Sequence, residues 1–362
     1  MTVVDPRALL GPLRDALAGG PCLAPASDDA TLAMLRPGVE VEDADVALIV
    51  ATSGSTGRPK GVLLSRHALI ASASATHERL GGPGVWHCAL PTTYVAGVMT
   101  LVRAIVADTE PVFVAPDLHD LNVPHVGAQA SRNYLSLVPT QLHRALASPD
   151  LTARLARFDA VLLGGAAIDP ALRGRAAASG IDVVTTYGMS ETCGGCVYDG
   201  VPLPGVDVRL DADRVTIGGP VLFSGYRLDP DTSASALAGG RFWTSDRGEW
   251  DADGRLCILG RIDDVVISGG VNVDLAAAQR AADEVFGPPE AGGIVLVGVP
   301  DAEWGTRVVA ATASDLTTDG VRARLAPRLG RAALPQEVRR VDSLPRTAGG
   351  KIDRQGIVRG WR

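Results

Sequence analysis

The segment with the most chemistry per residue is Ala51-Thr52-Ser53-Gly54-Ser55-Thr56-Gly57-Arg58-Pro59-Lys60-Gly61. An apolar strand, Val46–Ala51, runs straight into it. Its four hydroxyls, three glycines and one lysine fall within eleven residues. Glycines let successive backbone N–H groups converge on an anion, hydroxyls add donors, and an ammonium adds a compact charge. These are the needs of a phosphate-binding loop formed by Thr52, Ser53, Gly54, Ser55, Thr56, Gly57 and Lys60. It is not the Walker pattern, because Pro59 precedes Lys60 and Gly61 follows it. No G-x-G-x-x-G follows the first strand, which disfavours a nicotinamide dehydrogenase. A plain surface turn would satisfy the glycines but not the lysine. Of the 34 basic residues only Lys60 and Lys351 are lysine, leaving 32 arginines.

Four further segments extend the pattern: Thr186-Tyr187-Gly188-Met189-Ser190-Glu191-Thr192, Thr244-Ser245-Asp246-Arg247-Gly248, Gly260-Arg261-Ile262-Asp263-Asp264 and Pro345-Arg346-Thr347-Ala348-Gly349-Gly350-Lys351. With Thr52–Gly61 they resemble, in order, the motifs of the adenylate-forming superfamily of acyl-CoA synthetases, adenylation domains and luciferases. The likeness covers most of the chain. It implies a two-step reaction: a carboxylate attacks ATP to give an acyl-adenylate and pyrophosphate, and a thiol then displaces AMP. ATP and Mg²⁺ are the implied cofactors, and CoA the implied thiol substrate.

The resemblance assigns roles residue by residue. Tyr187 would stack on adenine beside Gly188 and the Gly164-Gly165-Ala166 wall. Ser190 would meet the α-phosphate, and Glu191 would offer a hard oxygen to Mg²⁺. Asp246 would accept the ribose hydroxyls, with Arg261 on ribose or phosphate. Asp263 would be the hinge, and Ser268, Gly269 and Gly270 would line the CoA tunnel. Lys351 would neutralise the two approaching anions, a task for which a planar guanidinium is a poor substitute. Taken singly, several of these have plainer readings: Tyr187 as a core aromatic, Asp246 as a turn residue, Arg261 as a surface charge.

Within the superfamily, Ser136–Leu142, Val161–Ile168 and Met189–Gly200 resemble the o-succinylbenzoate–CoA ligases of menaquinone biosynthesis. The resemblance places the acid near Tyr94, Gly97, Val138, Pro139, Thr140 and Met189. Arg103 is a candidate for a second carboxylate, against the reading of a helix-surface charge. Tyr94 stands where this family usually has His, and Ser245 where it has Gly. Tyr94 cannot become cationic near neutral pH, so another aryl or acyl acid, delivered to CoA or to a carrier protein, stays open. A nucleotide-binding regulator without catalysis is disfavoured by Glu191, Asp246 and Lys351.

The elements that must position these residues read as strand and helix in alternation from Val46 to Thr186, an α/β layered domain with a largely parallel sheet. Residues 1–45 read as a helical cap. Gly205–Leu259 reads as an antiparallel β subdomain. The rest is a small, mobile α+β domain. The expected division is 1–262, binding ATP and acid, and 263–362, carrying Lys351.

Composition sets outer limits. At 46% hydrophobic and 21% charged residues, the chain is globular. A net charge of −7 argues against a nucleic-acid partner. No unbroken apolar run has the ~18 residues of a spanning helix. Met1–Leu10 lacks a basic start before an apolar core, and five cysteines suit a reducing cytoplasm. Cys193-x-x-Cys196 lacks the second pair a zinc site wants and reads as packing. A homodimer is left open.

Overall fold

The computed structural model describes residues 5–52, 60–123, 132–166, 168–347 and 351–361. Ser53, Gly54, Ser55, Thr56 and Gly57 of the phosphate loop lie outside the described residues, as do Ala167 and residues 348–350.

The chain forms two compact units. The first comprises Met1–Asp211, Val215–Thr244 and Trp250–Leu256; the second comprises Ala212–Arg214, Ser245–Glu249 and Cys257–Arg362. At the centre of the first is a seven-stranded sheet. Its order is Val112–Phe113, Gly84–Cys88, Arg132–Leu137, Ala160–Leu163, Val183–Met189, Gly194–Tyr198, Val201–Pro202. The first five pair in parallel and the last two antiparallel. Strands covered on both faces are apolar throughout, as Ala-Val-Leu-Leu at 160–163 illustrates. Leu135, Leu137, Val161 and Leu163 pack with Leu142, Leu155 and Leu172 of the crossover helices. Their alternates Tyr134, Ala160 and Leu162 pack with Trp86, Ala75 and Ala104. The period of two thus feeds two separate cores.

The connecting helices start where their sequences specify. Ser65 caps Arg66–Arg79 by accepting from the Ala68 N–H at 3.0 Å. Asp169 caps Pro170–Ala178 from the Ala171 N–H at 2.9 Å, with Pro170 opening the helix. One strand is additional to the sequence reading. Lys60–Ser65 pairs antiparallel with Val46–Thr52, setting Thr52 opposite Lys60, and Gly225–Tyr226 adds a third strand. The opening strand therefore belongs to a separate antiparallel sheet, not to the parallel one.

The N-terminal segment is a defined brace. Helices Pro6–Leu17 and Asp29–Leu35 bury Leu9, Leu13 and Leu35. Arg227, with its side chain 1% exposed, then fastens the following turn. It donates to the carbonyls of Leu35 (3.2 Å), Arg36 (3.0 Å), Val39 (2.6 Å) and Glu40 (2.8 Å), and pairs with the Glu42 carboxylate.

The second unit is built on a sheet ordered Val271–Asp274, Val265–Ser268, Gly305–Thr312, Ile294–Asp301, with Val338–Arg340 parallel on Gly305–Thr312. Helices Leu275–Phe286 and Thr318–Leu325 cover one face through Leu275, Ala278, Ala282, Val321 and Leu325. Helix Arg354–Arg359 covers the other, seating Ile357 against Val295, Val297 and Val309. No helix among the described residues is long and apolar enough to cross a membrane.

One buried group makes this fold sensitive to acid. Trp86 Nε1 donates to His77 Nε2 at 3.1 Å, and burial, aided by Arg103, pulls the His77 pKa down to about 4. In the unfolded chain His77 would titrate near 6.5. The unfolded state therefore binds a proton first, and stability present above pH 6.5 is lost as the pH falls toward 4. The expected loss is on the order of 1–3 kcal/mol. Urea melts at pH 7 and pH 4.5 should show it, and His77→Gln should flatten the difference.

Candidate active site

In the first unit, the acid- and adenine-side candidates arise from the carboxyl ends of adjacent parallel strands. Leu137 lies beside Leu163, and Leu163 beside Thr185. The residues just beyond are Val138-Pro139-Thr140, Gly164-Gly165-Ala166 and Tyr187-Gly188-Met189, all delivered to one edge. Ligands of open α/β sheets bind at this edge. Gln141 fastens two of the ends: its Oε1 accepts from the Val138 N–H at 3.1 Å, and its Nε2 donates to the carbonyls of Ala89 (3.2 Å) and Pro116 (2.9 Å).

Gly164 and Gly188 are glycine because neighbours fill the space of a side chain. A Cβ on Gly164 would stand 2.2 Å from Thr186 Oγ1, and one on Gly188 would stand 2.1 Å from the Gly194 carbonyl. Tyr187 is half-buried on the strand itself. Gly97 has a packing reason as well: its Cβ would meet the Pro91 carbonyl at 2.2 Å. Tyr94 precedes helix Val95–Val106. Burial and, more weakly, Asp28 raise its pKa, so its phenol stays neutral and able to donate.

The turn Ser190–Thr192 follows Met189. Thr192 locks it: its Oγ1 accepts from the Met189 N–H at 3.0 Å and donates to the Gly194 carbonyl at 2.7 Å. Ser190 is nearly buried. Glu191 is held twice by one segment, its carbonyl by the Phe223 N–H (2.9 Å) and its Oε1 by the Tyr226 hydroxyl (2.9 Å). Lys60 Nζ sits over the same Tyr226 ring, 4.6 Å from its centre. Sequence reasoning missed this tyrosine, because its partner Glu191 lies 35 residues away along the chain.

Arg103 is neither on the helix surface nor beside Tyr94. The two are nine positions apart, about 14 Å along the helix axis. The guanidinium is buried, donates to the Tyr198 hydroxyl at 3.4 Å and lies 5.0 Å from the Trp86 ring centre. Cys193 and Cys196 are fully buried thiols, and burial raises both pKa values, that of Cys196 to about 12. Among the described residues no cluster of three or more His, Cys, Asp or Glu could hold a metal.

In the second unit, Arg261 joins two carboxylates: Nη1 is 3.4 Å from Asp246 Oδ1, and Nη2 is 2.9 Å from Asp263 Oδ2. Asp246 is largely buried and Asp263 half-exposed. Next to Asp246, Arg247 pairs with Asp274, the residue that caps Leu275–Phe286. Lys351 remains exposed at its surface, yet partial desolvation lowers its pKa while Asp246 opposes the shift. Gly269 (φ 58°) and Gly270 (φ 79°) make a left-handed turn, and the Trp304 ring stands 2.8 Å from where a Gly269 Cβ would be. Ser268 is buried.

Residues 14–244 match the family described as AMP-binding enzyme, and residues 288–351 match the AMP-binding enzyme C-terminal domain. The chain belongs to the AMP-binding enzyme family. It is 42% identical to the probable 2-succinylbenzoate–CoA ligase of Mycobacterium tuberculosis (strain H37Rv), over 97% of this chain and 95% of that one. It is 29% identical to the 2-succinylbenzoate–CoA ligase of Enterococcus faecalis, over 85% of this chain and 68% of that one. ATP-bound MatB from Rhodopseudomonas palustris superposes with a TM-score of 0.74 at 27% identity, covering 88% of this chain and 68% of MatB.

The packing role of Gly188 can be tested against a glycine in an open helix position. Gly188→Ala is expected to cost about 1–3 kcal/mol through overpacking. Gly174→Ala, in a helix with nothing within 4 Å of the new Cβ, should be neutral or stabilising by about 0.5–1 kcal/mol. Denaturant midpoints of the two variants give the comparison.

Proposed function

We propose that the chain is an AMP-forming acid–CoA ligase whose acid is o-succinylbenzoate. The observation that carries this reading is the 42% identity with a ligase named for that acid, spread over nearly the full length of both chains. The ATP-bound structural relative supports ATP as co-substrate.

In the first step a carboxylate oxygen attacks the α-phosphorus of ATP and pyrophosphate leaves. In the second, the CoA thiol attacks the acyl carbonyl and AMP leaves. Ser190 would donate to the α-phosphate, and Tyr187 with Gly164-Gly165 would receive the adenine. Asp246 and Arg261 would take the ribose. Thr52, Lys60 and the loop between them would hold the remaining phosphates. Val138, Pro139, Thr140, Met189 and Tyr94 would surround the acid. Glu191 suits Mg²⁺, which favours one or two carboxylates plus substrate phosphates over a cage of protein ligands. When bound, the ion neutralises phosphate charge. Lys351 would supply the cation for the first step, and Asp263 the backbone change between steps. Ser268, Gly269 and Gly270 would admit CoA in the second.

AMP release over a panel of carboxylic acids, with ATP, Mg²⁺ and CoA, tests the substrate. Turnover should be highest with o-succinylbenzoate; turnover of a monoacid alone would reject it and point to Tyr94. Lys351→Ala should lower adenylate formation by roughly 10²–10³-fold while sparing thiolysis of a supplied adenylate. Because lost hydration lowers the Lys351 pKa, its charge goes as pH rises through a value below the ordinary 10.5. The adenylation rate of the parent enzyme should fall with it, and equal loss of both half-reactions in Lys351→Ala would reject the assignment.

A further inference from the structure

Tyr226 occupies an unusual place in the first unit. Its hydroxyl donates to Glu191 Oε1 at 2.9 Å, and its ring face carries Lys60 Nζ at 4.6 Å. One side chain therefore touches the carboxylate suited to a divalent cation and the ammonium suited to phosphate. We propose that Tyr226 is a positioning residue for the metal–triphosphate end of the substrate, directing the Glu191 carboxylate toward Mg²⁺ and seating Lys60 on its ring. This rests on the reading of Glu191 given above.

The chemistry is specific to a phenol. A carboxylate has two oxygens and about four lone-pair directions. Holding Oε1 on a hydroxyl donor restricts the carboxylate plane, and a carboxylate with that many lone-pair directions can accept more than one partner. The donor must keep its proton, and a phenol does so at neutral pH. Such a neutral donor orients the carboxylate without cancelling its charge, as an arginine would.

The tyrosine is itself held. Its backbone N–H donates to Ser233 Oγ at 2.7 Å, and Ser233 Oγ donates to the Asp229 carbonyl at 2.7 Å. Its ring meets Phe223 edge to face at 4.9 Å, and Phe223 binds the Glu191 carbonyl. Arg227, the next residue, is locked by its five backbone and side-chain partners. Partners that orient a metal-facing ligand typically cost 10–100-fold in metal affinity when removed.

The test is a titration of Mg²⁺ into protein plus α,β-methylene-ATP, followed by calorimetry, so that no turnover is required. Tyr226→Phe keeps the ring under Lys60 and removes only the hydroxyl. It should raise the Mg²⁺ half-saturation by about 10-fold, while analogue binding without metal stays within two-fold. Glu191→Gln should raise it at least as much. Ser233→Ala, which loosens the Tyr226 backbone and leaves the phenol intact, should shift it in the same direction and serves if Tyr226→Phe folds poorly. A Tyr226→Phe half-saturation within two-fold of the parent, with Glu191→Gln shifted, overturns the role of Tyr226 alone. No shift in either variant overturns the metal assignment of Glu191 and the role of Tyr226 with it. AMP release by the parent enzyme is unaffected by either result, so the ligase reading stands or falls separately.

Discussion

Parallel pairing of Gly84–Cys88, Arg132–Leu137, Ala160–Leu163 and Val183–Met189 forces four carboxyl-terminal strand ends to one edge of the sheet. Everything proposed for the acid and the adenine follows from that constraint. Residues more than twenty positions apart in sequence become neighbours because hydrogen bonds fix the strands in register. The edge cannot be relaxed locally: shifting one strand by one residue would exchange its two cores, moving Leu162 to where Leu163 now packs. The site is accordingly only as well defined as the apolar packing beneath it.

Beyond the strand ends, polar contacts replace packing as the source of precision. The turn at Ser190–Thr192 has few apolar residues to hold it, so Thr192, Phe223 and Tyr226 pin it through hydrogen bonds. Arg261 does similar work in the second unit, bringing one guanidinium to both the largely buried Asp246 and Asp263.

Much of this was legible in the sequence. The strands at 160–163 and 183 onward, and the helix at Pro170–Ala178, follow from apolar runs and an Asp-Pro start. The motifs at 186–192 and 244–248 named the residues that could meet a nucleotide. Three features were not legible, each for a physical reason. The strand Lys60–Ser65 is short and runs straight into a helix without a break residue. Tyr226 acts through a contact 35 residues distant in sequence, which local spacing cannot encode. Arg103 looked like any helix arginine, because burial next to Trp86 and Tyr198 depends on how helix Val95–Val106 rotates against the sheet.

The brace formed by Arg227 carries a consequence for how this chain can vary. Four of its partners are main-chain carbonyls at Leu35, Arg36, Val39 and Glu40. A carbonyl is common to all twenty residue types, so the identities at Val39 and Glu40 are free to drift without disturbing the clamp, whereas Arg36, at φ 49°, must suit a left-handed backbone. The number of residues is not free, since one residue added or removed would swing two of the four oxygens away from the guanidinium. Between the buried Leu35 and the paired Glu42 carboxylate, the exposed positions Val39 and Glu40 should thus be permissive to substitution while the segment is intolerant of insertion, the reverse of an ordinary surface loop.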